Sequence, residues 1–203
     1  KTNIYYSFEQ YGIKCLASAI ENLVIQNDGI VQEETAIELA ARIERKRDSE
    51  QKRKNFLDSD EGVKVAQNEF EMLCNYIKNK FDTISVNDGL FKTKIDQNIR
   101  LLQVESQGFV MYCNWFPKFS NSLDGSYLQL RIYDKSWEYG PERSKQHLDD
   151  RYLFDRNLSG QVGWGEKNNK NRFYLTKQLA EMIVKKFIIT MDEEITKRDN
   201  RFY

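Results

Sequence analysis

His147, Asp149, Asp150 and Asp155 lie within nine residues of one another, and they join the only histidine of the chain to several carboxylates. An imidazole nitrogen with carboxylate oxygens suits Mg²⁺ or Mn²⁺, and two carboxylates on such an ion can activate water against a phosphodiester. The spacing H-x-D-D is not specific to that chemistry. Acids and bases alternate through the segment (Glu142, Arg143, Lys145, Asp149, Asp150, Arg151), and such a stretch ordinarily forms solvated ion pairs in a surface loop. A metal-dependent nuclease or phosphodiesterase, using Mg²⁺ and these four residues, is therefore the alternative reading. The leading one is non-catalytic, with no cofactor and no metal.

A second constellation binds rather than reacts. Between Arg42 and Lys54, seven basic residues face three acids. Arg45, Lys46, Arg47, Lys52 and Arg53 could neutralise phosphates, although a charge run is more often just a solvated helix face. Further on, the segment from Ser126 to Asp134 alternates: Leu128, Leu130 and Ile132 point to one side, and Tyr127, Gln129, Arg131 and Tyr133 to the other. Tyr127, Arg131 and Tyr133, with Trp137 just beyond, combine rings on which bases can stack with a cation for phosphate. Trp115, Phe116, Phe119, Tyr139 and Trp164 add rings at strand ends and loops. The competing reading is that aromatics favour strands because they pack well there.

Other chemistries lack their residues. Gly160-Gln-Val-Gly163-Trp-Gly165 has glycines but neither the Lys-Ser/Thr of a phosphate loop nor a strand-to-helix setting. Cys15, Cys74 and Cys113 are far apart and form no C-x-x-C pair, so zinc and disulfide frameworks are both excluded. Their apolar neighbours suggest reduced core thiols in a cytoplasmic protein. Cys113 is also the one thiol near a histidine-dependent scheme, and packing explains it better.

These residues need a scaffold, and composition allows one. The chain has 203 residues with 31 Lys plus Arg against 31 Asp plus Glu, and it carries 12 Phe, 11 Tyr and 3 Trp. That is enough aromatic surface for a real core, which excludes disorder throughout, and a zero net charge excludes a uniformly basic binder. No apolar run approaches the length of a membrane span. The N-terminus, Lys-Thr-Asn-Ile, has neither an initiator Met nor an apolar signal core, and it is expected to have been trimmed or cut from a longer chain.

Apolar residues recur at the helical period from Ser7 to Gln26, again from about Gln32 to Ile43, and from about Asp58 to Phe81. The stretch from Glu44 to Asn55 has no apolar residue, so it reads as a projecting charged arm near residues 42–58. Val63, Ala66, Phe70, Leu73, Ile77 and Phe81 make a nearly heptad seam that another part of the fold, or a second copy of the chain, must cover. After Asn87-Asp88-Gly89 the period changes to two: Ile99–Glu105, Phe109–Trp115, Ser126–Asp134, Tyr152–Asp155 and Gln161–Trp164 read as strands. A last helix runs from Thr176 to about Lys197.

The expectation is a single α+β domain over residues 1–203, with helices and the arm over 1–86, then an antiparallel meander of about five strands and a C-terminal helix packed on it over 95–203. Its function reads as intracellular binding of nucleic acid or a nucleotide through the arm and the aromatic sheet face. A structural module that self-associates as a homodimer through the Val63–Phe81 helix, or docks another protein there, is the third reading. None of these involves a membrane.

Overall fold

A computed structural model describes residues 35–87, 92–134 and 145–200, without the side chains of Lys170 and Asn171. The helix expected at Ser7–Gln26, the residues around Trp137 and Cys15 lie outside the described residues. The chain divides into two units, Lys1–Arg45 and Lys46–Tyr203.

In the first unit the described residues open helix α1 (Ala36–Leu57). Thr35 caps it: Glu38 N–H donates to Thr35 Oγ1 at 3.3 Å, and the Thr35 backbone N–H donates to Glu38 Oε2 at 2.9 Å. This reciprocal pair is the capping box. The residues after Glu44 continue as helix, and no residue of α1 is buried, but its last turns are tied to the rest of the second unit: Arg53 is bonded to Asp155, and Phe56 and Leu57 pack against the core.

The second unit is built on α2 (Asp60–Asn87), seven strands and α3 (Thr176–Asp199). Ser59 ends one helix and starts the next. Its Oγ donates to the Phe56 carbonyl at 2.8 Å and accepts from Gly62 N–H at 3.0 Å. A Cβ at Gly62 would stand 2.1 Å from the Phe56 carbonyl oxygen, so the corner admits only glycine there. The strands are β1 (Lys94–Gln97), β2 (Leu101–Ser106), β3 (Phe109–Phe116), β4 (Tyr127–Asp134), β5 (Gln146–Arg156), β6 (Val162–Glu166) and β7 (Asn169–Tyr174). They form one antiparallel sheet in chain order, β1 to β7.

The α+β class and the C-terminal helix on the sheet agree with the sequence; the strand count of about five is corrected to seven. The two extra strands are the edges. Lys94-Ile-Asp-Gln97 and Asn169-Lys-Asn-Arg172 offer little apolar alternation, because an edge strand is protected from foreign pairing by being short, polar and charged.

One face of the sheet is covered. Leu102, Val104, Phe109, Met111, Cys113, Trp115, Leu128, Leu130, Ile132, Tyr152, Phe154 and Trp164 point to it and form a single core with both long helices. From α2 come Val63, Ala66, Phe70, Leu73, Ile77 and Phe81, and from α3 Leu179, Ile183, Phe187 and Met191. Each large side chain buried this way contributes about 1.5–3 kcal/mol. The seam of α2 is thus covered within the chain, with none of its six residues more than 4% exposed. Among the described residues no helix is long and apolar enough to cross a membrane.

Candidate functional site

The segment holding His147 and the three aspartates is strand β5, not a surface loop. Strand alternation then sends its acids to opposite faces. Asp150 points to the covered face, where Lys186 Nζ donates to it at 2.5 Å and the Tyr152 hydroxyl at 3.3 Å. Asp149 and Asp155 point the other way. Gln129 Nε2 donates to Asp149 at 2.7 Å, and Arg53 grips Asp155 through Nε at 2.6 Å and Nη2 at 2.5 Å.

His147 sits in a β-bulge. Ile132 pairs with Leu148 and Tyr133 with Gln146, so His147 is the unmatched residue and turns to the covered side. Its side chain is only 4% exposed, with Nε2 at 2.7 Å from Asp134 and Nδ1 at 3.7 Å from Glu194. The four residues therefore do not converge, and among the described residues no group of three or more His, Cys, Asp or Glu is placed to hold a metal.

The polar groups of the covered side have partners of their own. Lys145 and Lys197 donate to Glu194 at 2.8 Å each, and these bonds hold its carboxyl down to about 2. Burial raises the Tyr152 hydroxyl far above its ordinary range, with the Asp150 charge adding to the shift. Burial likewise pushes the Cys74 thiol up to about 12 and raises Cys113, so neither is a thiolate nucleophile at neutral pH. Trp115 and Trp164, two of the rings considered for ligand stacking, meet edge to face at 5.6 Å inside the core. Trp164 Nε1 donates to Thr176 Oγ1 at 3.1 Å, and that hydroxyl donates in turn to Glu69 of α2.

The opposite face of the sheet is built differently. Tyr127, Gln129, Arg131 and Tyr133 all lie on it, as their alternation predicts, and the β3 register adds Tyr112 opposite Arg131, Asn114 opposite Gln129 and Phe116 opposite Tyr127. Phe116 and Tyr127 stack at 5.0 Å with planes 24° apart, and the Arg151 guanidinium lies 5.3 Å from the Tyr127 ring. In a second row, Tyr112 and Tyr133 meet edge to face at 6.1 Å, with Arg131 5.8 Å from Tyr133 and bonded to its hydroxyl at 3.3 Å. The Tyr112 hydroxyl is raised by its partial burial and by the Glu105 charge.

Neither Arg131 nor Arg151 forms an ion pair with a carboxylate among the described residues, and Arg131 Nε has no partner. Asp149, directly across from Arg131, is occupied by Gln129. Further along the face, Gly163 lies beneath the Phe173 ring, which would stand 2.8 Å from a Cβ there.

On α1, Arg45 donates to the Ala41 carbonyl at 3.2 Å, and Lys46, Arg47 and Lys52 are exposed. Arg53 is tied to Asp155, so one residue assigned to phosphate binding and one assigned to catalysis are partners of each other. Sequence reasoning missed Tyr112 and Arg151. The alternation of Tyr112, Asn114 and Phe116 along β3 was the available signal for the first. Arg151 was hidden inside the segment taken for a loop. No family model, no curated protein and no solved structure matches the chain.

Proposed function

We propose that the protein is a binding module that takes single-stranded nucleic acid along the uncovered face of its sheet. The observation that supports this is the pair of ring rows, Phe116–Tyr127 and Tyr112–Tyr133, each flanked by an arginine with no carboxylate partner. Phe116, 38% exposed, is the most open of these four rings and the one that offers a base a surface to stack on. A base stacked on such a ring contributes about 1–3 kcal/mol whatever its identity, and an unpaired arginine is ready for a phosphate. The exposed Lys46, Arg47 and Lys52 add cations on α1. The dispersal of His147, Asp149, Asp150 and Asp155 gives the reading of a metal-dependent nuclease no comparable support.

The test is fluorescence anisotropy of labelled single-stranded RNA and DNA across a salt series. Phe116→Ala is expected to weaken binding about tenfold, within the range for losing one stacked base. Arg131→Gln with Arg151→Gln is expected to lower the slope of log affinity against log salt by about 1.4, as for two phosphate contacts, with melting unchanged. Equal affinity in all variants, or no binding by the wild-type protein at low salt, would overturn the reading.

A further inference from the structure

The uncovered face of the sheet continues past the ring rows, and its continuation carries a glycine that the fold itself does not require. Phe116 stands beside Tyr127, and one step past the Leu128–Tyr152 pair Leu153 stands on the other side of Tyr127. Leu153 pairs with Gly165 of β6, and Gly165 pairs with Phe173 of β7. Phe116, Tyr127, Leu153, Gly165 and Phe173 therefore form one row across β3 to β7, and cross-strand partners share a face. Leu153 is 41% exposed and, like Phe116, stands outside the core cluster.

Gly163 and Gly165 both lie on this face of β6, and they differ in what demands them. A Cβ at Gly163 would stand 2.4 Å from the Tyr174 carbonyl oxygen as well as under the Phe173 ring, so the fold excludes a side chain there. At Gly165 a Cβ would meet only the Leu153 and Arg172 carbonyl oxygens, each at 3.9 Å, which is ordinary contact. Its φ is not positive, so the register shift that follows it in the β6–β7 pairing does not call for glycine either. Glycine inside a strand costs chain entropy, and where packing does not explain it, it commonly marks close approach by a ligand.

The missing side chain leaves a recess in the row, floored by the β6 backbone, with Leu153 on one side and Phe173 on the other. Among the described residues no side chain comes within 4 Å of the Cβ position. A flat floor between two apolar side chains suits a planar ring. Arg151, the preceding residue of β5 on this face, holds its guanidinium 5.3 Å from the Tyr127 ring and supplies a cation beside the row.

We propose that the recess at Gly165 takes a second base of the bound strand, flanked by Leu153 and Phe173, so that the nucleic acid crosses the sheet from Phe116 toward Phe173 with a phosphate at Arg151. This path rests on the strand-binding reading and adds a second base site to it.

Side chains placed in the recess test it, because stability and binding should then move apart. Gly165→Ala is expected to melt at or above the wild-type temperature, since alanine has less chain entropy to lose on folding, and to bind labelled single-stranded RNA or DNA more weakly. Gly165→Val, which fills more of the recess, should weaken binding about tenfold, within the range for losing one stacked base. Leu153→Ala should weaken it several-fold. Gly163→Ala, by contrast, should lower the melting temperature. Combining Phe116→Ala with Gly165→Val should multiply the two losses, as for separate base sites. A lower melting temperature for Gly165→Ala would show that the fold needs this glycine and would overturn the proposal. Binding weakened by Phe116→Ala but indifferent to both Gly165 variants would overturn the second base site while the strand-binding reading stands. No binding by the wild-type protein would remove both.

Discussion

The two faces of the sheet are made of the same residue classes and use them in opposite ways. On the covered face the rings of Trp115, Phe154 and Trp164 lock edge to face, and all three are at most 5% exposed. The charged groups there are matched, Asp150 with Lys186 and Asp134 with Arg198. On the other face the rings of Tyr127 and Tyr133 are only half-buried, and the arginines beside them lie against aromatic rings without a carboxylate. Aromatic content alone therefore separates nothing; whether the neighbouring charge is matched does.

The largest effect expected from that contrast is on stability. Leu73 is fully buried between α2 and the rest of the core, so Leu73→Ala should cost about 2–5 kcal/mol through lost burial and the cavity left behind. Tyr127→Ala, on the other face, should cost well under that, because its half-exposed ring surrenders less buried area. Urea denaturation of both variants measures the difference. If Tyr127→Ala were the more damaging, the rings of the uncovered face would be part of the core and the contrast would fail.

The covered face was the more legible of the two in the sequence. A seam that recurs every three or four residues from Val63 to Phe81, and alternation at Leu128, Leu130 and Ile132, both arise from burial, and burial leaves a period. The edge strands leave none, since β1 and β7 answer to solvent as much as to the core. His147 shows a different limit. One extra residue in β5 turns its side chain to the covered face, and nothing local in Gln146-His147-Leu148 announces a bulge. The pairing of Arg53 with Asp155 spans 102 positions, so each could be read only as an isolated charge. The candidate site was legible where it follows strand alternation, at Tyr127, Arg131 and Tyr133, and illegible where it depends on which neighbour takes which charge.

That last dependence can be probed at Arg53 and Asp155. The pair is bidentate, which favours it, but the Arg53 side chain is 42% exposed and solvent screens it. The Asp155 carboxylate stabilises the charged Arg53 guanidinium and raises its affinity for its proton. A double-mutant cycle with Arg53→Gln and Asp155→Asn is expected to give a coupling of about 1 kcal/mol, at the upper end for exposed pairs. If Arg53 served nucleic acid instead, Asp155→Asn would free it and tighten strand binding with little change in stability. Coupling near zero together with tighter binding would move Arg53 from the scaffold to the ligand-binding surface.

The smallest expected effect tests whether the charge matching on the covered side is functional matching or mere proximity. Glu194 near the end of α3 takes bonds from Lys145 and Lys197, and its carboxyl falls from 4.5 to about 2. A carboxyl depressed in the folded state is protonated first in the unfolded chain. As pH falls from about 4.5 toward 2, the unfolded chain binds the proton that the folded one refuses, and stability is lost. Glu194→Gln should therefore be slightly less stable than the wild type above pH 4.5, and the difference should shrink as the pH falls toward 2. Both lysines are more than half exposed, so the effect should be modest and should decrease further with added salt. Parallel stability curves for the two proteins across that range would mean that Glu194 merely lies beside its lysines, and that the charges of the covered face are no better matched than those around Arg131 and Arg151.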